Sequence, residues 1–183
     1  MMNNNYPLKV IKALTDLPYE SIDQAVRWLQ ICHKAGHTIW LIGNGGSAST
    51  AEHFACDLTL AGVKAVCLTS NMSALTAMAN DNDYGQALAL LLEKSLDPVD
   101  GLIAISTSGN SDNIVQAVKL AKRRGLYVIG MAGKLGSELT KLSDCVLSVQ
   151  TDDQQVAEDL HLLMAHMITK ELKNARPERA NSE

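Results

Sequence analysis

The stretch Leu-Ile-Gly-Asn-Gly-Gly-Ser-Ala-Ser-Thr-Ala-Glu-His-Phe-Ala-Cys-Asp, residues 41 to 57, decides the fold. It runs from an apolar strand through a glycine turn into a helix. Backbone N–H groups at the start of a helix lack partners within the helix and lie at the positive end of its dipole, so this junction predicts an anion site. Gly45 and Gly46 let the backbone approach an anion closely, and we expect Ser47 to cap the helix.

Outward from this stretch, short β-rich runs alternate with helical patterns along the chain. These runs are Thr38 to Ile42, Ala65 to Thr69, Leu102 to Ser106, Tyr127 to Met131 and Cys145 to Val149. Strands that are apolar throughout and alternate with helices indicate a parallel sheet covered on both faces. The sequence therefore predicts an α/β fold, a three-layer α-β-α sandwich around a five-stranded parallel sheet with right-handed crossovers.

The N-terminal part of the chain has helical rather than strand periodicity. Apolar positions recur at helical spacing from Leu8 to Ala35, with an interruption near Pro18 and a stop at Gly36. A length of 183 residues suits one domain. We therefore expect residues 1–36 to be a helical segment, 37–173 to be the α/β core and 174–183 to be a flexible tail.

Composition excludes several classes of function. The net charge is −4 and basic residues are scattered, apart from Lys122 to Arg124 near a predicted helix end, so no nucleic-acid partner is expected. No window is apolar for the roughly 18 residues of a membrane span, and the N-terminus has no signal-peptide pattern. The four cysteines, Cys32, Cys56, Cys67 and Cys145, lack paired spacing and are expected to be reduced. A cytoplasmic protein is predicted.

A second loop carries hydroxyl groups to the end of the third predicted strand. It reads Ser106-Thr107-Ser108-Gly109-Asn110-Ser111 and precedes a helix. One such loop alone is ordinary turn and cap chemistry, but two at equivalent ends of parallel strands favour a ligand site. Neither loop contains GxGxxG or GxxxxGK[ST], so a dinucleotide or triphosphate is not expected. A single phosphate on a small molecule fits better.

Five motifs together carry a resemblance to a known family. They are Gly43-Asn44-Gly45-Gly46-Ser47, His53-Phe54-Ala55, Asn80-Asp81, Ser106 to Ser111, and a last helix running from Glu158 to His166. In this order and at this spacing, they resemble the sugar isomerase (SIS) domain family, in its phosphoheptose isomerase branch, over about residues 6 to 173.

The resemblance implies a fold, an activity and an assembly. The implied fold is the flavodoxin-like SIS fold, and the implied activity is aldose-ketose isomerisation of a phosphosugar. The substrate would be sedoheptulose 7-phosphate and the product D-glycero-D-manno-heptose 7-phosphate, an early step towards the heptose of bacterial surface glycans such as lipopolysaccharide. The implied assembly is a homotetramer with active sites between subunits, packed through the N-terminal helical segment.

The resemblance also implies a metal site. In the resembling enzymes, a His and a Glu four residues apart and a Gln and a His eight residues apart hold zinc, and that Glu and the last His are the acid-base pair. The matching positions are His53, Asp57, Glu158 and His166, of which Asp57 and Glu158 are changed. All four remain possible ligands for zinc or another divalent metal. We expect Asp57 or Glu158 to be the base and His166 the acid.

One geometric condition applies to this ligand set. Residues eight apart on a helix are about 12 Å apart along its axis, so Glu158 and His166 can reach one ion only by leaning towards it. Taken singly, Asp57 could be a solvated helix residue, His166 a hydrogen-bonded core histidine, and Glu158 part of an acidic first turn. His161 is interpreted as a helix-helix or subunit-contact histidine.

The substrate site implied by the resemblance draws on several loops. The expected binding residues are Asn44, Gly45, Gly46, Ser47, Asn80, Asp81, Ser106, Thr107, Ser108, Ser111 and Glu158. This chain departs from the family after the first motif, because the segment from Leu58 to Lys64 is shorter and lacks an arginine that the branch carries there. A substrate contact is therefore expected to be absent.

A second class of function stays open. Proteins with this domain also act as non-catalytic phosphosugar sensors or as tetrameric scaffolds, one of which binds a replication-initiation protein. Retention of four ligand-type side chains favours the enzyme, because a scaffold would have no need of them.

Overall fold

The computed structural model describes residues 5–175. Along this range the elements are α1 (Tyr6–Leu14), α2 (Tyr19–Ala35), β1 (Thr38–Gly43), α3 (Gly46–Leu60), β2 (Lys64–Cys67), a 3₁₀ turn (Leu68–Ser70), α4 (Met72–Asp81), α5 (Tyr84–Ser95), β3 (Gly101–Ser106), α6 (Asp112–Arg123), β4 (Tyr127–Ala132), α7 (Glu138–Leu142), β5 (Cys145–Ser148) and α8 (Gln154–Asn174). Of the predicted flexible tail, residues 176–183 lie outside the described range.

The five strands form one parallel sheet in the order β2-β1-β3-β4-β5. This order confirms the predicted five-stranded α/β architecture. The predicted strands match the observed ones to within two residues at each end. The largest difference is in β2, which ends at Cys67 rather than Thr69 because the chain enters a 3₁₀ turn at Leu68.

Two hydrophobic clusters lie on opposite faces of the sheet. One cluster joins the sheet to α1, α2, α3 and α8, and the other joins it to α4, α5, α6 and α7. Strand β3 shows the division, since Ile103 and Ile105 belong to the first cluster while Leu102 and Ala104 belong to the second. Successive strand residues point to opposite faces, so an all-apolar strand supplies both cores.

The N-terminal helices belong to the first of these cores. Ile22, Ala25 and Leu29 of α2 are buried, whereas Leu8 and Ile11 of α1 are exposed. Gly36 ends α2 in the left-handed region, with a φ of 74°. The predicted break near Pro18 and stop at Gly36 are thus confirmed, and α2 packs within its own chain.

Other sequence predictions can be compared with the described residues 5–175. Lys122 and Arg123 do lie in the last turn of α6. The cysteines are free, and all except Cys56 are buried. No helix in this range is both long and apolar enough to cross a membrane.

Candidate active site

The two predicted anion loops lie side by side at the carboxyl edge of the sheet. Strands β1 and β3 are neighbours, and Gly43 pairs with Ile105. The glycine turn after β1 and the Ser/Thr loop after β3 therefore leave the sheet next to each other. Ligands of parallel α/β sheets bind at this edge.

The glycine turn opens helix α3 without a side-chain cap. Gly45 is the N-cap, at a φ of 53° that favours glycine, and no side chain accepts a hydrogen bond there. The prediction that Ser47 caps this helix is therefore wrong. Ser47 is the second residue of the helix and is only 4% exposed, because the turn ends two residues before it. The first N–H groups of α3 are left without a side-chain acceptor, as an anion site requires.

The Ser/Thr loop brings three hydroxyl groups together. Ser106 Oγ lies 3.2 Å from Ser111 Oγ and 3.4 Å from Ser108 Oγ, and it accepts a hydrogen bond from the Gly109 N–H at 3.2 Å. Ser111 is the N-cap of α6, but its side chain does not cap the helix. Hydroxyl donors and the start of a helix thus meet in one loop, which can bind an anion.

A hydrogen-bond network fixes the side chain of Asn44. Asn44 Nδ2 donates to Asn113 Oδ1 at 2.8 Å, while Asn44 Oδ1 accepts from Asn113 Nδ2 at 2.9 Å and from the Tyr84 hydroxyl at 2.8 Å. Asn113 is only 3% exposed. Both acceptor positions of Asn44 are therefore used within the protein. The network connects the glycine turn to the first turns of α5 and α6, so it holds the Asn44 side chain in a fixed position.

Asn113 and Tyr84 were not among the site residues predicted from the sequence. A signal for each existed, because Asn113 comes two residues after the Ser/Thr loop and Tyr84 three residues after the Asn80-Asp81 motif. Asn80 and Asp81 are exposed at the end of α4, where Asn80 Nδ2 donates to Asp81 Oδ1 at 3.2 Å. Tyr84 brings the segment that follows this motif to the glycine turn.

Three of the predicted metal ligands converge on the face shared by α3 and α8. His53 Nε2 lies 3.4 Å from His166 Nε2, and Asp57 Oδ2 lies 3.7 Å from each of these nitrogens. His53 and Asp57 come from α3 and His166 from α8. These three side chains form a His/Asp/His group that could hold a metal ion.

The separations within this group suit a small divalent ion. A tetrahedral zinc site with bonds of about 2.1 Å places its ligand atoms about 3.4 Å apart. The observed separations of 3.4 to 3.7 Å agree with that value. Three protein ligands also leave a position for water or substrate, which is the arrangement of catalytic rather than structural zinc sites.

Glu158, the fourth predicted ligand, is not part of this group. Its carboxylate lies against Gly46, where a Cβ atom would be 2.5 Å from both of its oxygens. Gln154 Nε2 donates to Glu158 Oε1 at 3.4 Å. The reason is the helix itself, since eight residues of α8 separate Glu158 and His166 by about 12 Å. The structure therefore places Glu158 beside the glycine turn and His166 beside His53 and Asp57.

His161 is buried between these two ends of α8. It is 0% exposed, and within residues 5–175 neither ring nitrogen has a partner in normal hydrogen-bond geometry. Burial lowers the pKa of His161 from 6.5 to about 4, and the nearby Ala132 backbone has a smaller effect in the opposite direction. The interpretation of His161 as a helix-contact residue fits its place inside the chain.

Because the pKa of His161 is low in the folded protein, the free energy of unfolding should depend on pH. In the unfolded chain this imidazole binds its proton near pH 6.5, so the folded state loses stability as pH falls from about 6.5 to about 4. We expect this group alone to contribute a slope of up to about 1.4 kcal/mol per pH unit in that window. Denaturant unfolding at several pH values measures the slope. H161L should reduce it and H33Q, at an exposed histidine, should not; equal slopes in wild type and H161L would contradict the assignment.

Comparisons with known proteins identify the family to which this chain belongs. Residues 5–133 match the family model of the SIS domain. The chain is 37% identical to the phosphoheptose isomerase of Helicobacter pylori over 166 residues, which cover 87% of this chain and 84% of that protein. It is 35% identical to the phosphoheptose isomerase of Aliarcobacter butzleri over 172 residues, 91% of each chain.

A solved structure extends the likeness to three dimensions. The phosphoheptose isomerase of Neisseria gonorrhoeae superposes with a TM-score of 0.87 and 31% sequence identity, over 92% of this chain and 95% of that one. The similarity thus extends over nearly the whole of both chains. The chain belongs to the SIS domain family and, within it, to the phosphoheptose isomerases, which makes it a phosphosugar isomerase.

Proposed function

We propose that this protein converts sedoheptulose 7-phosphate to D-glycero-D-manno-heptose 7-phosphate. The observation that carries the proposal is that the side chains of His53, Asp57 and His166 lie close together in one group. The relatives of this chain are phosphoheptose isomerases. Two neighbouring anion loops add a place for the phosphate. A non-catalytic phosphosugar sensor would need the two anion loops but not the His/Asp/His group, and a scaffold would need neither.

The substrate is held along the carboxyl edge of the sheet. Ser106, Thr107, Ser108 and Ser111 bind the phosphate, aided by the first N–H groups of α6. The turn from Asn44 to Ser47 and the Asn80-Asp81 motif contact the sugar, and Glu158 lies over Gly46 to face it. His53 is about 10 Å along α3 from Gly46, so the reactive end of a long sugar phosphate can reach the His/Asp/His group.

Asp57 and His166 are the proposed acid-base pair that transfers protons. With Oδ2 and Nε2 holding the metal, the second carboxylate oxygen of Asp57 would take a proton from C1 of the ketose and return it to C2, while His166 would move a proton from the O1 hydroxyl to O2 through Nδ1. Asp57 is preferred to Glu158 as the base because its Oδ2 lies 3.7 Å from His166 Nε2, whereas the Glu158 carboxylate lies against Gly46.

Zinc or another divalent metal is the proposed cofactor, held by His53, Asp57 and His166. Two imidazoles and one carboxylate are a ligand set typical of catalytic zinc. When bound, such an ion supplies Lewis-acid polarisation of a carbonyl oxygen. Glu158 is proposed to act at the substrate end of the site and not as a ligand in the arrangement described.

We also propose a homotetramer in which a neighbouring subunit covers the site. The side chains of His53 and His166 are 50% and 45% exposed in the single chain, more than suits a reaction that must exclude water. Leu60, Val66 and Met72 are also exposed, a pattern typical of an interface. A cytoplasmic location and the absence of a nucleic-acid partner stay predictions from sequence.

An isomerase assay with a panel of ketose phosphates tests the function. We expect turnover of sedoheptulose 7-phosphate, with kcat/KM at least about tenfold above that for five- and six-carbon ketose phosphates. Product formation is followed by the appearance of the aldose. No turnover of any of these sugars by folded, metal-loaded protein would contradict the enzyme and favour the sensor or scaffold.

A further inference from the structure

A cavity of about 290 Å³ lies beside the Ser/Thr loop. Its wall comes from the segments that follow three neighbouring strands, with Thr107 and Ser108 after β3, Lys134 after β4, and Thr151 and Asp152 after β5. The first turn of α8 closes the other side. The cavity therefore opens at the carboxyl edge of the sheet, next to the hydroxyl groups proposed to hold phosphate.

Backbone hydrogen bonds hold these three segments in fixed positions. The Gly133 N–H donates to the Thr107 carbonyl at 2.9 Å, and the Thr151 N–H donates to the Gly133 carbonyl at 2.8 Å. A Cβ at residue 133 would lie 2.7 Å from the Thr107 carbonyl oxygen, so glycine is required for this approach. Lys134 thus directly follows Gly133, whose backbone is hydrogen-bonded to the Ser/Thr loop.

Lys134 supplies positive charge to this cavity. Among the described residues that line it, Lys134 is the one cation, and its Nζ forms an ion pair with Asp152. The two side chains are 52% and 85% exposed. Exposed ion pairs contribute little to stability, so Lys134 can leave Asp152 for a stronger partner at small cost.

A phosphate monoester is such a partner. It carries between one and two negative charges near neutral pH and offers several acceptor oxygens, while the hydroxyl groups of the Ser/Thr loop are neutral. Lysine binds phosphate as a mobile point charge, which suits a long side chain at a cavity wall. The segment from Leu58 to Lys64, where the resembling enzymes carry an arginine, has none in this chain that could pair with the phosphate.

We propose that Lys134 binds the phosphate group of the substrate together with the Ser106 to Ser111 loop, and that Asp152 is the counter-ion from which Lys134 is released. The identity of the sugar rests on the proposed function, whereas the phosphate chemistry does not. Bound phosphate replaces the Asp152 carboxylate as the partner of Lys134, so Asp152 competes with the ligand.

The test measures phosphate affinity and kinetics in parallel on the full chain. Binding of inorganic phosphate is followed by calorimetry, and KM and kcat are measured with sedoheptulose 7-phosphate. The variants are K134Q, which removes the charge, K134R, which keeps it, and D152N, which removes the competitor. K141Q is the matched control, because Lys141 is an exposed lysine on α7 that pairs with Glu138 and is not among the described residues that line the cavity.

The expected results distinguish loss of the positive charge at residue 134 from a general structural effect of substitution. K134Q should weaken phosphate binding and raise KM by about tenfold or more while kcat changes by less than about threefold. K134R should stay within about threefold of wild type, D152N should tighten phosphate binding, and K141Q should change nothing. Unaltered thermal unfolding of K134Q establishes that the variant is folded.

Two results overturn the proposal independently of the substrate. One is phosphate affinity in K134Q within about twofold of wild type, and the other is no measurable phosphate binding by wild type. Lys134-dependent phosphate binding without turnover of sedoheptulose 7-phosphate would refute the proposed function and support Lys134. Turnover that K134Q leaves unchanged would refute Lys134 and support the function.

Discussion

D57N should lower kcat/KM for sedoheptulose 7-phosphate by about 10²- to 10⁴-fold, the range expected for loss of a general base. The substitution keeps the size of the side chain and removes its negative charge. Asp57 Oδ2 lies 3.7 Å from both His53 Nε2 and His166 Nε2, so the same change also weakens a metal ligand set. Steady-state kinetics with metal analysis of each preparation measure both effects.

Two further variants on α3 make this prediction specific. E52Q removes a carboxylate from an exposed position on the same helix and should leave activity within about twofold of wild type. D57E keeps the charge with one more methylene and should retain far more activity than D57N. If D57N carried a full complement of metal and remained within about threefold of wild type, Asp57 would be neither base nor essential ligand.

G43A should destabilise the protein by about 3 kcal/mol and disrupt the glycine turn. A Cβ on residue 43 would lie 2.5 Å from the Ser47 carbonyl carbon, inside van der Waals contact. The neighbouring atoms are backbone of the first turn of α3, so relief requires movement of the helix start. Denaturant unfolding gives the free energy, and loss of phosphate binding reports on the turn.

G46A is the control for this prediction. A Cβ on residue 46 meets the Glu158 carboxylate, which is the end of a flexible side chain and can move away. We expect a change in unfolding free energy of less than about 1 kcal/mol, about the loss typical of a moderate substitution. Equal destabilisation by G43A and G46A would show that contact with backbone does not explain the need for glycine at residue 43.

The sheet was predictable because its signal is local. All-apolar runs such as Leu102 to Ile105 are dictated by burial on both faces, and both clusters draw on β3. The end of β2 was less predictable, since Leu68 and Thr69 are strand-forming residue types that instead enter a 3₁₀ turn. The capping role of Ser47 failed for a related reason: the boundary of a helix depends on backbone conformation at Gly45, which composition does not determine.

The site was predictable in part. His53 and Asp57 share a face because they are four residues apart, and their meeting with His166 followed from family order rather than from local pattern. The position of Glu158 could not be taken from that order, since the rise of α8 carries it to the other end of the site. The geometric condition stated from sequence alone already indicated this separation.

The remaining residues of the site depend on contacts between distant parts of the chain. Asn44 and Asn113 are 69 positions apart, and Asn44 and Tyr84 are 40 positions apart. Lys134 lines the same cavity as the Ser/Thr loop only because β3 and β4 are neighbours in the sheet. No local periodicity contains this information, so the structure was needed to find them.

Metal removal and replacement on one protein preparation is the sharpest test of metal-dependent isomerisation. Purified wild type is stripped with a chelator, assayed with sedoheptulose 7-phosphate, and assayed again after addition of one equivalent of zinc per chain. The aldose product is detected by NMR. A metal-dependent isomerase shows little activity when stripped and recovers it with the metal, while H53A and H166A fail to recover. Full activity in metal-free protein, or no aldose in any state, would contradict metal-dependent isomerisation.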